Sequence, residues 1–222
     1  MILKTYHQKR HFAKTPEPKG ESHRKGKTLR FVVQEHHASH LHWDFRLEME
    51  GVLKSWAVPK GPSMDPSVKH LAVMVEDHPY SYRTFEGTIP KGNYGAGTVQ
   101  IWDEGTYEPI EQTEDPEKVL LAGIKKGDLK FILHGKKLKG KFVLVKFGDE
   151  DLPAGKAGKN WLLIKEKDTE NVIPNSDHGS LDSSTDRGND RVKGKKTQMP
   201  HAITPMLAKL ADTPFDNSDW LY

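Results

Sequence analysis

The chain is divided into short apolar runs of β-type composition, each followed by turn-forming residues, and this division restricts the possible folds more than any other feature. Eight runs span residues 29–34, 41–49, 55–58, 71–75, 98–102, 129–133, 141–147 and 161–164. Glycine, proline, asparagine and aspartate separate them, as tight turns require. The best helix candidate, residues 115–123, is short, and we expect it to end at Gly123. The pattern predicts a mainly β protein with little helix, either a small antiparallel barrel or a sandwich.

Changes in composition predict four segments in the 222 residues. Residues 1–28 form a basic arm that we expect to be extended, because the prolines within residues 15–18 exclude regular helix or sheet pairing. Residues 29–167 contain the β-type runs. Residues 168–200 are rich in Asp, Ser, Asn, Gly and Lys and read as a flexible linker, and residues 201–222 regain ordered character.

The charge distribution indicates the class of partner. Residues 1–30 contain nine Lys or Arg and two Glu, a net charge of +7, so the rest of the chain carries −4 of the total +3. A basic arm on a nearly neutral body is typical of proteins that hold nucleic-acid phosphates, although a solvated disordered tail has the same composition. The chain has no cysteine and no apolar run of membrane-spanning length. These absences exclude a disulfide framework and predict a soluble, cytoplasmic protein.

Residues 41–47 alternate strictly between apolar and polar side chains, which predicts a half-buried strand. The alternation places His42, Asp44 and Arg46 in a row on one face. His42 and Asp44 are close enough to share a divalent ion, and His36 could supply a third ligand across a turn at 38–39. Arg46 would lie next to this cluster as an anion-binding group. A solvated sheet face with a surface ion pair remains the alternative.

A second polar cluster follows the run 71–75. If the strand continues without a bulge, His70, Glu76 and His78 share one face and can accompany the first row. Lys60 lies in a loop made rigid by two prolines and a glycine, where it could bind phosphate as a point charge. Each of these residues also has an ordinary interpretation as part of a turn or a solvated loop.

Six motifs in one order make the chain resemble the 3′-phosphoesterase domain of DNA ligase D, an enzyme of bacterial and archaeal end joining. They are FVVQEH (31–36), HWDFRLE (42–48), LKSWAVPKGP (53–62), VEDHP (75–79), FEGTIP (85–90) and YGAGTV (94–99). The resemblance covers about residues 1–165. It implies a compact β-barrel with a manganese site in a surface groove. The implied activity removes a 3′-terminal ribonucleoside and then hydrolyses the remaining 3′-phosphate to a 3′-OH.

The resemblance also implies roles for individual residues. By position, the metal ligands are His36, His42 and Asp44, with Mn²⁺ expected and Co²⁺ or Zn²⁺ as other divalent ions. The residues around the scissile phosphate that the resemblance implies are Arg46, Lys60, His78, Tyr82 and Glu76, with His70 at a further phosphate-binding position.

Two departures from the family pattern bear on these roles. His70 stands where bacterial members commonly carry an arginine, and Arg10-His11-Phe12 replaces Arg-Asp-Phe in the arm. In the family the arm's Arg and Asp, with a Glu matched by Glu17, assist hydrolysis of the 3′-phosphate. We therefore hypothesise that the phosphodiesterase step is retained more securely than the phosphomonoesterase step.

The last residues, 201–222, resemble the opening of the ATP-dependent ligase domain, and the sequence stops before a nucleotidyl-lysine motif. The partners implied are DNA or RNA/DNA 3′ ends at a primer-template, the ATP-dependent ligase and the polymerase of the end-joining system, in cis or in trans, and Ku. A monomer, nucleoid-associated in a prokaryote, is expected. Two alternatives stay open: a two-histidine, one-carboxylate iron oxygenase built on His42, Asp44 and His78, and a DNA-end-binding module without catalysis.

Overall fold

The computed structural model describes residues 3–20, 28–147 and 158–167, and in these residues an eight-stranded antiparallel barrel dominates. The strands are β1 (Arg30–His37), β2 (Leu41–Met49), β3 (Val52–Val58), β4 (Lys69–Met74), β5 (His78–Pro79), β6 (Gly87–Ile89), β7 (Gly97–Pro109), β8 (Asp128–Gly135), β9 (Lys139–Lys146) and β10 (Asn160–Lys165). The helices are α1 (Lys4–Gln8), α2 (Pro116–Lys126) and one 3₁₀ helix (Tyr80–Thr84).

The barrel closes because β7 pairs with β1. The order around the wall is β1-β2-β3-β4-β10-β9-β8-β7, and the additional β1–β7 ladder joins the two ends. β5 pairs with β3 and β6 pairs with β7, so these two short strands lie beside the barrel wall. The predicted mainly β fold is confirmed, and the barrel rather than the sandwich is the architecture formed.

The barrel interior is a packed hydrophobic core. Phe31, Phe45, Trp56, Phe131 and Trp161 are each at most 1% exposed and belong to one buried cluster. Burial of large aromatic side chains is the main favourable term in the stability of such a fold. Since successive side chains of a strand point to opposite faces, the polar residues that alternate with these core positions lie on the outer wall.

Turn residues fix the register of the hairpin that carries the polar row. Met49 pairs with Val52, which leaves a two-residue turn at Glu50 and Gly51, both with positive φ. Two positive φ values match the twist of an antiparallel hairpin. The register therefore pairs Asp44 with Ala57 and Arg46 with Ser55, and it places these four residues on the outer wall.

Helix α2 is longer than the sequence predicts. Asp115 accepts a hydrogen bond from the Lys118 amide at 3.1 Å, and Pro116 opens the first turn. The helix passes through Gly123 and ends at Gly127, whose φ of 80° is the left-handed C-cap conformation. The predicted end at Gly123 is wrong. The helix ends one turn later, where Gly127 adopts the left-handed conformation and its N–H binds the carbonyls of Gly123 and Ile124.

The arm packs on the barrel through a hydrophobic cluster of its own. Tyr6, in the short helix α1, is fully buried with Leu53 of β3 and Tyr82 of the 3₁₀ helix. The Tyr6 hydroxyl donates to the Pro18 carbonyl at 2.6 Å, which ties the helix to the end of the arm. The expected extended arm therefore includes a helix that the sequence pattern did not predict, whereas residues 15–18 contain neither helix nor strand.

The strand β2 is more buried than the alternating pattern predicts. Asp44 and Arg46, expected on a solvent-facing side, are 7% and 2% exposed because the arm and the 3₁₀ helix cover this part of the outer wall. None of the helices in the described residues has the length and apolar character that crossing a membrane requires. The predicted linker 168–200 and the ligase-like segment 201–222 lie outside the described residues.

Candidate active site

A groove of about 420 Å³ lies on the outer wall of the barrel, between the arm, the β1–β2 hairpin and the loop before β7. Nine of the twelve residues assigned to the site from the sequence line it: Arg10, Glu17, His36, His42, Asp44, Arg46, Glu76, His78 and Tyr82. Three elements that are far apart in the chain therefore meet at one place.

The β1–β2 hairpin brings the three potential metal ligands together. His36 pairs with His42 across the hairpin, and Asp44 follows two residues later on the same face. One ligand atom from each of the three residues lies within 4.8 Å of the others. The juxtaposition of His36, His42 and Asp44 follows directly from the strand register and the three-residue connection.

Backbone carbonyls orient the two imidazoles toward the carboxylate. His36 Nε2 lies 3.0 Å from the Gly95 carbonyl, and His42 Nδ1 lies 3.0 Å from the His40 carbonyl. Each of these nitrogens must be the N–H donor, so neutral rings present lone pairs at His36 Nδ1 and His42 Nε2. These atoms lie 3.5 and 3.9 Å from the oxygens of Asp44.

Three acceptors that face one another are well placed to hold a cation between them. A histidine that gives its second N–H to a carbonyl is the usual arrangement of a metal-ligating imidazole. Two imidazoles and a carboxylate suit a divalent transition metal. The residues therefore fit a metal ion without further rearrangement of their hydrogen bonds.

Asp44 is held as a carboxylate. Burial by itself would raise the pKa of Asp44, but the charge of the Arg46 guanidinium outweighs it and keeps the pKa well below its usual range. Arg46 Nη2 lies 3.0 Å from the Asp44 carboxylate. The carboxylate is consequently charged at neutral pH, as a ligand must be.

Arg46 is fixed on all sides by groups from three strands. Its Nε donates to Gln34 Oε1 of β1 and its Nη1 donates to Ser55 Oγ of β3, both at 2.9 Å. Gln34 in turn donates to the Tyr82 and Phe85 carbonyls at 3.1 and 2.8 Å. These contacts position the guanidinium between the ligand cluster and the 3₁₀ helix.

His78 is a neutral histidine in a defined tautomer. Its Nδ1–H donates to the Glu76 carbonyl at 2.9 Å, and its Nε2 accepts from Arg10 Nη2 at 3.0 Å. Burial, reinforced by the charges of Arg46 and Arg10, lowers the pKa of His78 well below the ordinary value. A lone pair, and not a proton, is therefore present at Nε2.

Arg10 links the arm to the barrel side of the groove. Its guanidinium donates to Glu17 at 2.8 Å, to Glu76 at 3.0 Å and to His78. Arg10 lowers the pKa of Glu76 against the opposing effect of burial, so Glu76 is ionised. Tyr82 donates to Glu17 at 3.1 Å, and burial raises the pKa of its hydroxyl well above the ordinary value, so it remains a hydrogen-bond donor.

Three residues assigned from the sequence lie outside the groove lining. Lys60 is exposed in the loop after β3, and His11 is exposed on the arm. His70 lies on β4, and its Nδ1 is hydrogen-bonded to the Gly61 carbonyl of the preceding loop. The expectation that His70 shares a face with Glu76 and His78 is wrong, because β4 and β5 continue along the same partner β3 with a register shifted by one residue between Met74 and His78. Such a bulge reverses the alternation of faces.

Sequence reasoning missed residues that support the site from behind. Gln34 lies two positions before His36 on the same face of β1, and this spacing was an available signal. Tyr6, Lys9 and Tyr94 had no comparable signal. Their roles depend on contacts between the arm and distant loops, such as the Lys9–Tyr94 hydrogen bond across 85 residues.

The neutral state of His78 predicts how stability depends on pH. In the unfolded chain a histidine takes up a proton below about pH 6.5, whereas folded His78 excludes it. The stabilisation that neutral His78 gives the folded state is therefore present above that pH and is lost as the pH falls. The free energy of unfolding then decreases with a slope that approaches about 1.4 kcal/mol per pH unit. We expect His78→Gln to flatten the decline in unfolding free energy between pH 7 and 5, measured by urea denaturation. His11→Gln, on the exposed arm, should retain the wild-type slope, and an unchanged slope in His78→Gln would contradict the assignment.

The groove combines a cluster suited to a divalent metal with two buried guanidinium groups, which is the donor set of a phosphoesterase. Comparison with known families agrees with this class. A family model described as the DNA ligase D 3′-phosphoesterase domain matches residues 34–146.

Individual relatives carry names from the same system. The chain is 43% identical over 244 residues to the multifunctional non-homologous end joining protein LigD of Pseudomonas aeruginosa, covering 99% of this chain and 27% of that protein. It is 43% identical over 173 residues to the protein of that name from Mycolicibacterium smegmatis, covering 78% and 21%. It is 46% identical over 166 residues to the multifunctional non-homologous end joining DNA repair protein LigD of Mycobacterium tuberculosis, covering 74% and 20%.

The chain belongs to the DNA ligase D 3′-phosphoesterase domain family. It spans only 20% to 27% of the length of these three relatives.

Proposed function

We propose that this chain is a metal-dependent 3′-end-processing phosphoesterase that acts in end-joining DNA repair. It removes a 3′-terminal ribonucleoside and then hydrolyses the 3′-phosphate to a 3′-OH that a ligase can seal. The observation that carries the proposal is the convergence of His36, His42 and Asp44 beside the guanidinium of Arg46. Family membership and the names of the relatives support the same chemistry.

The metal would be held by His36 Nδ1, His42 Nε2 and the Asp44 carboxylate. Mn²⁺ is the ion we propose, and the mixed nitrogen and oxygen donor set also accommodates Co²⁺ or Zn²⁺. When bound, such an ion supplies charge stabilisation at the phosphoryl group and lowers the pKa of a bound water.

The chain's own residues bind and orient the phosphate. Arg46 and Arg10 present N–H groups to the non-bridging oxygens, where negative charge grows as water attacks phosphorus. Their fixed positions avoid the cost of reorganising these groups during the reaction. Glu17 and Glu76 hold Arg10 in place, and Tyr82 adds a hydroxyl donor.

His78 acts as a hydrogen-bond acceptor and not as a general acid. Its Nε2 carries a lone pair that Arg10 occupies in this structure. The depressed pKa makes a proton on this nitrogen unfavourable near neutral pH. In the proposed mechanism His78 orients Arg10.

The proposed setting is a primer-template whose 3′ end must be prepared for joining. The partners we propose are the ATP-dependent ligase and polymerase of the same system, in cis or in trans, together with Ku. Arg10 and the other basic residues of the arm provide positive charge for the nucleic-acid backbone. Of the two alternative functions, the iron oxygenase is disfavoured because Arg10 and Arg46 converge on the groove and create a site for an anion.

A gel assay of two labelled duplexes tests the proposal. One 5′-labelled primer ends in a 3′-terminal ribonucleotide tract and the other in a 3′-phosphate, each annealed to the same template and incubated with Mn²⁺. We expect the first to shorten to a 3′-phosphate product and then to a 3′-OH, and the second to lose its phosphate. A faster first step would also support the hypothesis drawn from His11. Absence of reaction on both ends would leave the DNA-end-binding module as the better interpretation.

A further inference from the structure

A segment of the arm, residues 9–14, crosses the groove and contacts both of its sides; we call it the strap. Lys9 Nζ lies 3.1 Å from Glu76 Oε2 on one side and 3.0 Å from the Tyr94 hydroxyl on the other. The ammonium group also lies 4.4 Å from the centre of the Tyr94 ring. One side chain therefore joins the segment before β5 to the loop before β7.

Further contacts hold the strap on each side of Lys9. Arg10 donates to Glu76 and His78 on the barrel side, at 3.0 Å in both cases. Asn93 Nδ2 lies 3.4 Å from the Lys14 carbonyl on the opposite side. The strap is thus attached at both ends of its path and not only at the hydrophobic cluster around α1.

Burial along the groove is strongly asymmetric. Arg10, Arg46, His78 and Tyr82, under and beside the strap, are each at most 9% exposed. At the other end, four lining residues are exposed: His37, Ser39 and His40 around the β1–β2 turn, and Lys91. The groove is therefore open at one end and closed by the strap at the other.

We infer that the strap determines specificity for strand ends: the groove accepts a terminus and rejects a continuous strand. This inference rests on the proposed function. A strand can enter through the open end and place at Arg46 the phosphate that precedes its terminal nucleoside, but a strand that continues beyond that nucleoside meets the strap. The hydrolysis reaction is the same at a terminal linkage and at an internal linkage, so only access to the groove distinguishes them. Water forms a bond to phosphorus, the P–O5′ bond breaks, and the leaving oxygen takes up a proton.

A comparison of linear and circular substrates tests the inference. The linear strand ends in a ribonucleotide tract, and the covalently closed circle contains the same tract with no terminus; each is annealed to a complementary template across the tract. We expect the wild type to cleave the linear strand and to leave the circle intact. In Lys9→Ala and Tyr94→Phe, each of which removes one partner of the Lys9–Tyr94 contact, the ratio of circle to linear cleavage should rise about 10-fold or more.

Lys14→Ala provides a matched control. It removes the same charge from the strap but keeps the Lys14 carbonyl that Asn93 contacts, so its ratio should equal that of the wild type. The ratio is insensitive to a general loss of activity, which would lower both rates. If Lys9→Ala and Tyr94→Phe are folded and keep the wild-type ratio, or if the wild type cleaves the circle as fast as the linear strand, the inference is wrong. Failure of the wild type to cleave the linear strand would instead refute the proposed function.

Discussion

Asp44→Asn is expected to abolish most hydrolysis of 3′-phosphate ends, with a decrease of at least about 100-fold at a fixed Mn²⁺ concentration. Asp44 supplies the only carboxylate of the candidate ligand cluster in the described residues, and both imidazoles point to it. Loss of groups that merely orient metal ligands already costs about 10- to 100-fold in affinity or activity, so loss of a ligand should cost more. The same variant should bind Mn²⁺ more weakly in a calorimetric titration.

Asp128→Asn is the matched control for this prediction. Asp128 begins β8, pairs with Lys130 at 3.7 Å and lies outside the groove lining. Both variants should retain the circular dichroism spectrum of the wild type. Wild-type Mn²⁺ affinity and wild-type activity in a folded Asp44→Asn protein would show that the cluster is not the metal site.

Arg46→Lys should be the most damaging conservative change in the groove. The guanidinium contacts Gln34, Asp44 and Ser55 through three different nitrogens, at 2.9, 3.0 and 2.9 Å. One ammonium nitrogen cannot reproduce three divergent donors, so at least one buried acceptor loses its partner. We expect kcat to fall about 100- to 1,000-fold, as when a fixed donor to a transition-state oxyanion is removed, and the unfolding free energy to fall by about 1–3 kcal/mol.

Arg83→Lys separates this effect from a general intolerance of lysine. Arg83 lies in the 3₁₀ helix and pairs with Glu104 at 3.0 Å, outside the groove lining. A lysine can keep that single ion pair, so kcat should stay within about twofold of the wild type. An Arg46→Lys protein whose kcat is equally unchanged would mean that Arg46 serves the fold and not the reaction.

The local part of the site was predictable from the sequence, because strand alternation and one short turn determine it. The alternation places His42, Asp44 and Arg46 on one face, and the turn at residues 38–40 brings His36 opposite His42. The same rule of alternation also pointed to the barrel core through residues such as Phe45. These features depend only on neighbours within a dozen residues along the chain.

The long-range part was beyond pattern reasoning. Arg10 contacts Glu76 and His78 across 66 and 68 residues, and no periodicity encodes such contacts. The same limitation explains the misplaced His70. Its expected face assumed an uninterrupted strand to His78, but the pairing with β3 shifts by one residue between Met74 and His78, which reverses the face of the later residues.

A metal titration tests directly whether a metal held by His36, His42 and Asp44 supports phosphoester hydrolysis. Protein stripped with a chelator is supplied with increasing Mn²⁺, and phosphate release from a 3′-phosphate primer-template is measured beside Asp44→Asn. We expect no activity in the stripped wild type, saturable recovery with one binding site, and recovery in the variant that is weaker by about 100-fold or more. Full activity of the stripped wild type, or equal recovery in Asp44→Asn, would contradict the claim.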